Sequence, residues 1–227
     1  MSGVSGEDRA MHPISLGVAP WHLTWQALGA AGGEALHAEL LARYAEPHRA
    51  YHTQQHLAEC LALFAEVRHL AERPAEIEVA LWFHDAIYDV HRHDNEALSA
   101  DWARASLRDA GAAPDDVAER VSALVLATRH SVAPATPDEQ LLVDIDLAIL
   151  GAAPARFAEY EAQIRVEYAH VPPTVFHEKR GAILAGFLAR PMLYGTPALR
   201  ERFEAPARAN LQAALDALPR PEGWSSR

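Results

Sequence analysis

The sequence predicts an all-α protein: one helical bundle spanning residues 21–218, with flexible segments at 1–20 and 219–227. Three observations carry that expectation. Ala, a strong helix former, is the commonest residue. Runs of β-branched residues with period two are nearly absent. Apolar residues instead recur at three- and four-residue steps between Gly and Pro breaks.

Each element follows from that punctuation. Residues 21–31 and 34–45 carry apolar positions at helical spacing; Gly32-Gly33 separates them and Pro47 ends the second. A long amphipathic helix is expected over 52–72, with Leu57, Leu61, Phe64, Val67 and Leu70 on one side. Pro74 suits the first turn of the next helix, which becomes strongly apolar through Val79, Leu81, Trp82 and Phe83. A polar loop over 89–95 precedes helices at 96–110, closed by Gly111, and at 114–130. Thr136-Pro137-Asp138-Glu139 reads as a capping box for a helix over 140–150, which Gly151 stops. Helices at 154–169, 174–190 and 197–218 complete the chain. No Gly/Ser linker and no internal repeat divides it.

Composition narrows the function. The chain has 227 residues, half of them hydrophobic, which is ample for a buried core. No apolar run reaches the roughly 18 residues of a membrane span, and residues 1–20 lack the pattern of a signal peptide. A single cysteine, Cys60, forms no internal disulfide and fits a cytoplasmic location. The net charge of −11 argues against tracking long nucleic acid. Against one lysine, Lys179, stand 13 histidines, nine of them between His37 and His130. Most, including His12, His22, His37, His69, His170 and His177, read as surface or core residues.

Three patterns stand apart. His84-Asp85 follows the apolar Ala80-Leu81-Trp82-Phe83, where a buried imidazole and carboxylate need a partner or a metal. His93-Asp94 lies among charged residues and carries no such argument. In Tyr51-His52-Thr53-Gln54-Gln55-His56, a spacing of four places His52 and His56 one turn apart on one helix face. Two acids, Asp144 and Asp146, interrupt the apolar run 141–150 and differ by about 200° around a helix axis. Asp146, flanked at three and four positions by Leu142, Val143, Ile149 and Leu150, is expected on the buried face and is the better ligand. Two imidazoles and two carboxylates suit Mn²⁺, Fe, Co²⁺, Ni²⁺ or Zn²⁺. Cys60, with no cysteine-centred motif around it, is expected to be a small core residue.

On these residues the chain resembles the HD superfamily of metal-dependent phosphohydrolases, whose early His, His-Asp pair and distant Asp are matched by His56, His84-Asp85 and Asp146. The Tyr51-His52-x-x-x-His56 segment is similar to that of the cyclic-nucleotide phosphodiesterases. The chain over about 20–218 also resembles a small stand-alone bacterial branch of HD phosphohydrolases. The resemblance to that branch is carried by Trp82-Phe83-His84-Asp85-x-x-Tyr88-Asp89, Asn95-Glu96-x-x-Ser99-Ala100, Ala127-Thr128-x-x-Ser131 with His130, and Asp146-Leu147-Ala148-Ile149-Leu150-Gly151. It implies an HD/phosphodiesterase-type bundle. A divalent transition metal would be held by His56, His84, Asp85 and Asp146, with room for a second ion such as Mg²⁺. Hydrolysis would use a metal-activated water, with His52 protonating the leaving oxygen. Arg49 and Arg129 would pair with substrate phosphate; Asp89 and Glu96 would orient bound groups or act as general bases; His130 would bind substrate or a second ion. The implied substrate is a small phosphoester, nucleotide-like, and a homodimer is compatible with the apolar C-terminal helices. Two other functions compete: a di-iron oxygenase recruiting His130 and one of His52, His91 or His93, and a regulatory module that binds a nucleotide without turnover.

Overall fold

A computed structural model describes residues 16–112 and 116–219, so most of the 1–20 segment and of the 219–227 tail lie outside the described residues. Among the described residues the chain is all-helical, and its helices form a single bundle. The α-helices are α1 (Val18–Ala27), α2 (Glu34–Arg43), α3 (Gln54–Val67), α4 (Pro74–Phe83), α5 (Asn95–Asp109), α6 (Val117–Ala127), α7 (Pro137–Asp146), α8 (Pro154–Glu167), α9 (Pro173–Leu188) and α10 (Pro197–Ala217). Short 3₁₀ turns extend α3 at Arg68–Leu70 and α7 at Leu147–Gly151.

Two boundaries matter for the site. Helix α3 starts later than its amphipathic pattern suggests, because Thr53 adopts an extended conformation and its hydroxyl accepts from the Gln55 N–H. His52 therefore sits in the turn before the helix, and does not share a helix face with His56. Helix α7 starts at Pro137, where the Thr136 side chain accepts from Glu139 N–H and Glu139 in turn accepts from Ala135 N–H. It ends at Asp146, where the expected continuous helix over 140–150 tightens into the 3₁₀ turn.

The buried apolar residues form two clusters. One gathers Trp21, Trp25, Leu40, Leu57, Phe64, Leu81, Phe83 and Leu141 from the N-terminal helices and α7. His37 lies against it, tilted between Trp21 and Trp82 and bonded to the Leu16 carbonyl at 2.8 Å, so it is a satisfied core residue. The other gathers Tyr51, Leu150, Phe157, Tyr160, Leu184, Tyr194 and Leu211 beneath α8, α9 and α10. Phe203 of α10 packs on both. The 3₁₀ turn closes against it at Gly151, where a Cβ would stand 2.8 Å from the Phe203 carbonyl oxygen. The start of α3, the end of α4 and the end of α7 meet at the junction of the clusters. No described helix is long and apolar enough to cross a membrane.

Candidate metal centre

Four side chains from three elements converge at that junction. His56 lies in the first turn of α3, His84 and Asp85 follow the last turn of α4, and Asp146 ends α7. The Nε2 atoms of His56 and His84 are 3.0 Å apart. Asp85 Oδ2 is 3.0 Å from His84 Nε2 and 3.5 Å from His56 Nε2. Asp146 Oδ1 is 3.3 Å from His56 Nε2 and 3.7 Å from His84 Nε2. Donors bonded at about 2.0–2.2 Å to one ion, at octahedral or tetrahedral angles, stand about 2.9–3.6 Å from one another. The separations of the two Nε2 atoms from each other and from each carboxylate fall near that range, and His56, Cys60, His84 and Asp146 form a group that could hold a metal ion.

The imidazoles are held for that role. His84 Nδ1 faces the Leu81 carbonyl at 2.7 Å; a carbonyl can only accept, so Nδ1 carries the proton and Nε2 is the free donor in the neutral ring. His56 Nδ1 meets the Tyr51 hydroxyl at 3.0 Å. Both rings are buried, with 3 % and 1 % of their side chains exposed. Burial opposes ionisation of Asp85 and Asp146. It is overcome for Asp85 by the charges of His84 and His52 and by hydrogen bonds from both ligand histidines, and for Asp146 by hydrogen bonds from His130 and His56 and the charge of His84. Both carboxyls are held far below the usual range. Burial likewise opposes a charge on the histidines. The Cys60 and Tyr51 sites and the two carboxylates push His56 up, and the two carboxylates push His84 up. Two ionised carboxylates thus face a pair of imidazoles whose affinity for protons is raised, and a divalent cation there would compete with protons.

The remaining expected residues fall into place unevenly. His52 lies beside the centre, its ring 6.0 Å from that of His56 and stacked on Tyr88 at 4.1 Å. His130 follows α6 with φ of 54°, and its Nε2 is 3.0 Å from Asp146 Oδ2. It therefore orients the Asp146 carboxylate, leaving Oδ1 facing the histidines. Arg49 corrects the expectation of a phosphate contact. Its side chain is fully buried, and its five N–H donors are taken by Glu46 and by the carbonyls of His52, Asp85 and Ala86. It clamps the backbone that presents Asp85. Asp89 is likewise spent on its own loop: Oδ1 accepts from His91 N–H at 2.9 Å, and its backbone pairs with Asn95. Glu96 and Arg129 face each other at 4.0 Å on the surface and make no hydrogen bond to the converged side chains. His91, one of the imidazoles a di-iron centre would recruit, packs against His170 at 4.3 Å.

The grounds for choosing Asp146 over Asp144 also need correcting. Asp144 is the fully buried one, while 14 % of the Asp146 side chain is exposed. Asp144 has found backbone partners instead of a cation: Gly195 and Thr196 N–H donate to it at 3.1 and 2.6 Å, with Gln140 Nε2 at 2.8 Å. It secures the start of α10.

One residue of the site was outside the sequence expectations, and another, Cys60, is the core residue expected but with neighbours they did not foresee. Glu167, at the end of α8, accepts five hydrogen bonds. The backbone N–H groups of Ala50, Tyr51 and His52 donate to Oε1, and His52 Nδ1 and the Tyr88 hydroxyl to Oε2 at 2.8 and 2.7 Å. Burial works against its ionisation, yet the bonds and charge of His52 bring its carboxyl down to about 2. No local pattern links it to His52, 115 residues away. Cys60, expected as core packing, is buried but stands 3.7 and 3.8 Å from the two ring nitrogens of His56. The His56-x-x-x-Cys60 spacing is the signal that points to it.

Comparison with protein-family profiles, curated proteins and solved structures finds no match.

Proposed function

We propose that this chain is a metal-dependent phosphohydrolase of the HD type, acting on a small phosphoester, nucleotide-like in size. One observation carries the reading: two buried Nε2 atoms lie 3.0 Å apart and each of two carboxylate oxygens stands 3.0–3.7 Å from both, with the orientation of each imidazole fixed by a further bond. His56, His84, Asp85 and Asp146 would hold the ion, one of Mn²⁺, Fe, Co²⁺, Ni²⁺ or Zn²⁺. When bound, it supplies Lewis acidity toward water and toward a phosphoryl oxygen.

The chain's own groups then have separable tasks. His52 is the proton donor to the leaving oxygen: Glu167 accepts from its Nδ1, which fixes the ring and leaves Nε2 as the working atom. Tyr88 stacks on the same ring and shares the same carboxylate. His130 orients Asp146, and Arg49 fixes the Asp85 turn. A cavity of about 420 Å³, walled by His56, Asp146, Ile149, Arg156, Arg202 and Phe203 among others, borders two of the four side chains, with His52 outside its walls. With a net charge of −11 and with Arg156 and Arg202 paired to Glu59 and Glu66, phosphate recognition would rest chiefly on the ion.

The test is metal analysis of the purified chain followed by a phosphate-release screen over nucleotides and phosphosugars. One divalent ion per chain and release that a chelator abolishes are expected. Two irons per chain with loss of turnover under anaerobic conditions would replace hydrolysis by oxygen chemistry.

A further inference from the structure

Building on the metal-centre reading above, we propose that Cys60 is a fifth protein donor of the same site. As thiolate it is recruited by thiophilic ions such as Co²⁺ and Zn²⁺ and left unbound by hard ions such as Mn²⁺ and Mg²⁺. The single site would then offer two donor sets, one of nitrogen and oxygen, the other including sulfur.

Placement comes first. Cys60 follows His56 by four residues on α3, so both side chains rise from the same helix face one turn apart. One donor atom from each of His56, Cys60, His84 and Asp146 lies within 4.8 Å of the other three. The sulfur is 3.8 Å from His56 Nε2. A tetrahedral ion with Zn–S near 2.3 Å and Zn–N near 2.05 Å sets sulfur and nitrogen about 3.6 Å apart. The sulfur is also 3.7 Å from Nδ1, so it lies against the His56 ring, and a rotation about the Cys60 Cα–Cβ bond, for which the bordering cavity leaves space, must carry it to the Nε2 side.

Chemistry then separates the ions. Carboxylate oxygens satisfy a hard cation, whereas a thiolate adds affinity mainly for softer ones. On binding, the Cys60 S–H bond breaks, its proton passes to buffer and the sulfur lone pair forms the bond to the ion; no electron is transferred. His56, Cys60, His84 and Asp146 would then complete a four-coordinate set without Asp85, of the kind that structural zinc sites use. Asp85 in place of Cys60 would mark the nitrogen and oxygen set, which around a six-coordinate ion leaves positions open for substrate.

Cobalt reads this directly, because the chain has one cysteine and any thiolate signal belongs to it. The full-length metal-free chain is titrated with Co²⁺, alongside Cys60→Ser and His84→Ala. A near-ultraviolet thiolate-to-cobalt charge-transfer band is expected in the wild type and not in Cys60→Ser, which still shows visible cobalt bands. Zn²⁺ should slow alkylation of Cys60 by iodoacetamide about tenfold or more while Mn²⁺ does not. If Co²⁺ binds, is lost in His84→Ala, and shows no charge-transfer band in the wild type, the Cys60 proposal falls and the metal centre stands. If the wild type binds no Co²⁺ at all, both fall. Should Cys60→Ser fail to fold, the wild-type band and the alkylation rates decide.

Discussion

At the residue scale, most of the site's design lies in how the donors are held. Glu167 is the clearest case, since one carboxylate ties the chain turn before α3, the His52 ring and Tyr88 together. Its carboxyl titrates near 2 in the folded chain against an ordinary value of 4.5. A depressed carboxyl stabilises the fold at pH above its unfolded value, and that contribution fades as pH falls from about 4.5 toward 2. Glu167→Gln should therefore lower the melting temperature at pH 7, with the gap to wild type closing across that window in a thermal-melt series. The variant should lose His52-dependent turnover by about 10- to 100-fold while keeping its metal. The two acids of α7 separate in the same spirit. Asp146→Asn should lose metal. Asp144→Asn should keep it but cost about 1–3 kcal/mol, because a carboxylate that accepts from two backbone N–H groups is weakened. Metal analysis and denaturant melts read the two outcomes independently.

At the scale of elements, the fold class was legible because Ala content, period and Gly/Pro breaks all point the same way, and each expected helix is present. Helix ends were less legible, and they decide the site. Thr53 starts α3 after His52, and α7 stops at Asp146, so both residues sit where a helix begins or finishes and a side chain can leave the helical pattern. Apolar context pointed to His84, Asp85 and Asp146, and His56 was pointed to by its four-residue spacing from His52, although the two do not share a helix face. The local pattern misjudged Arg49 and Asp89, whose partners are backbone groups invisible to composition, and it missed Glu167, whose link to His52 spans 115 residues. The face argument for Asp146 failed on burial since Asp144 caps α10, an element about 50 residues downstream. Close approach of elements gives a further expectation. Gly151→Ala should destabilise the chain by about 1–3 kcal/mol, because its Cβ meets the Phe203 backbone and one of the two elements must shift. A urea melt checks this, with loss of less than ~0.5 kcal/mol contradicting the close contact.

At the scale of the whole molecule, two apolar clusters meet along a seam, and the seam is where the charged and titratable groups are gathered. Burial there raises the cost of every unpaired charge, so the acidic pair needs either trapped protons or a cation. The acidic surface, with 31 Asp and Glu against 20 Lys and Arg, also leaves anion recognition to the centre. Both features are what the proposed hydrolysis of a small anionic substrate at an ion would use. The most direct test is phosphate release by the Mn²⁺-loaded chain, measured together with bound metal, for the wild type, His84→Ala and Asp85→Ala. The account predicts one ion per chain and chelator-sensitive release in the wild type, with loss of metal in His84→Ala and release lowered by about 100-fold or more in both variants. Full metal and full release retained in both variants would contradict it.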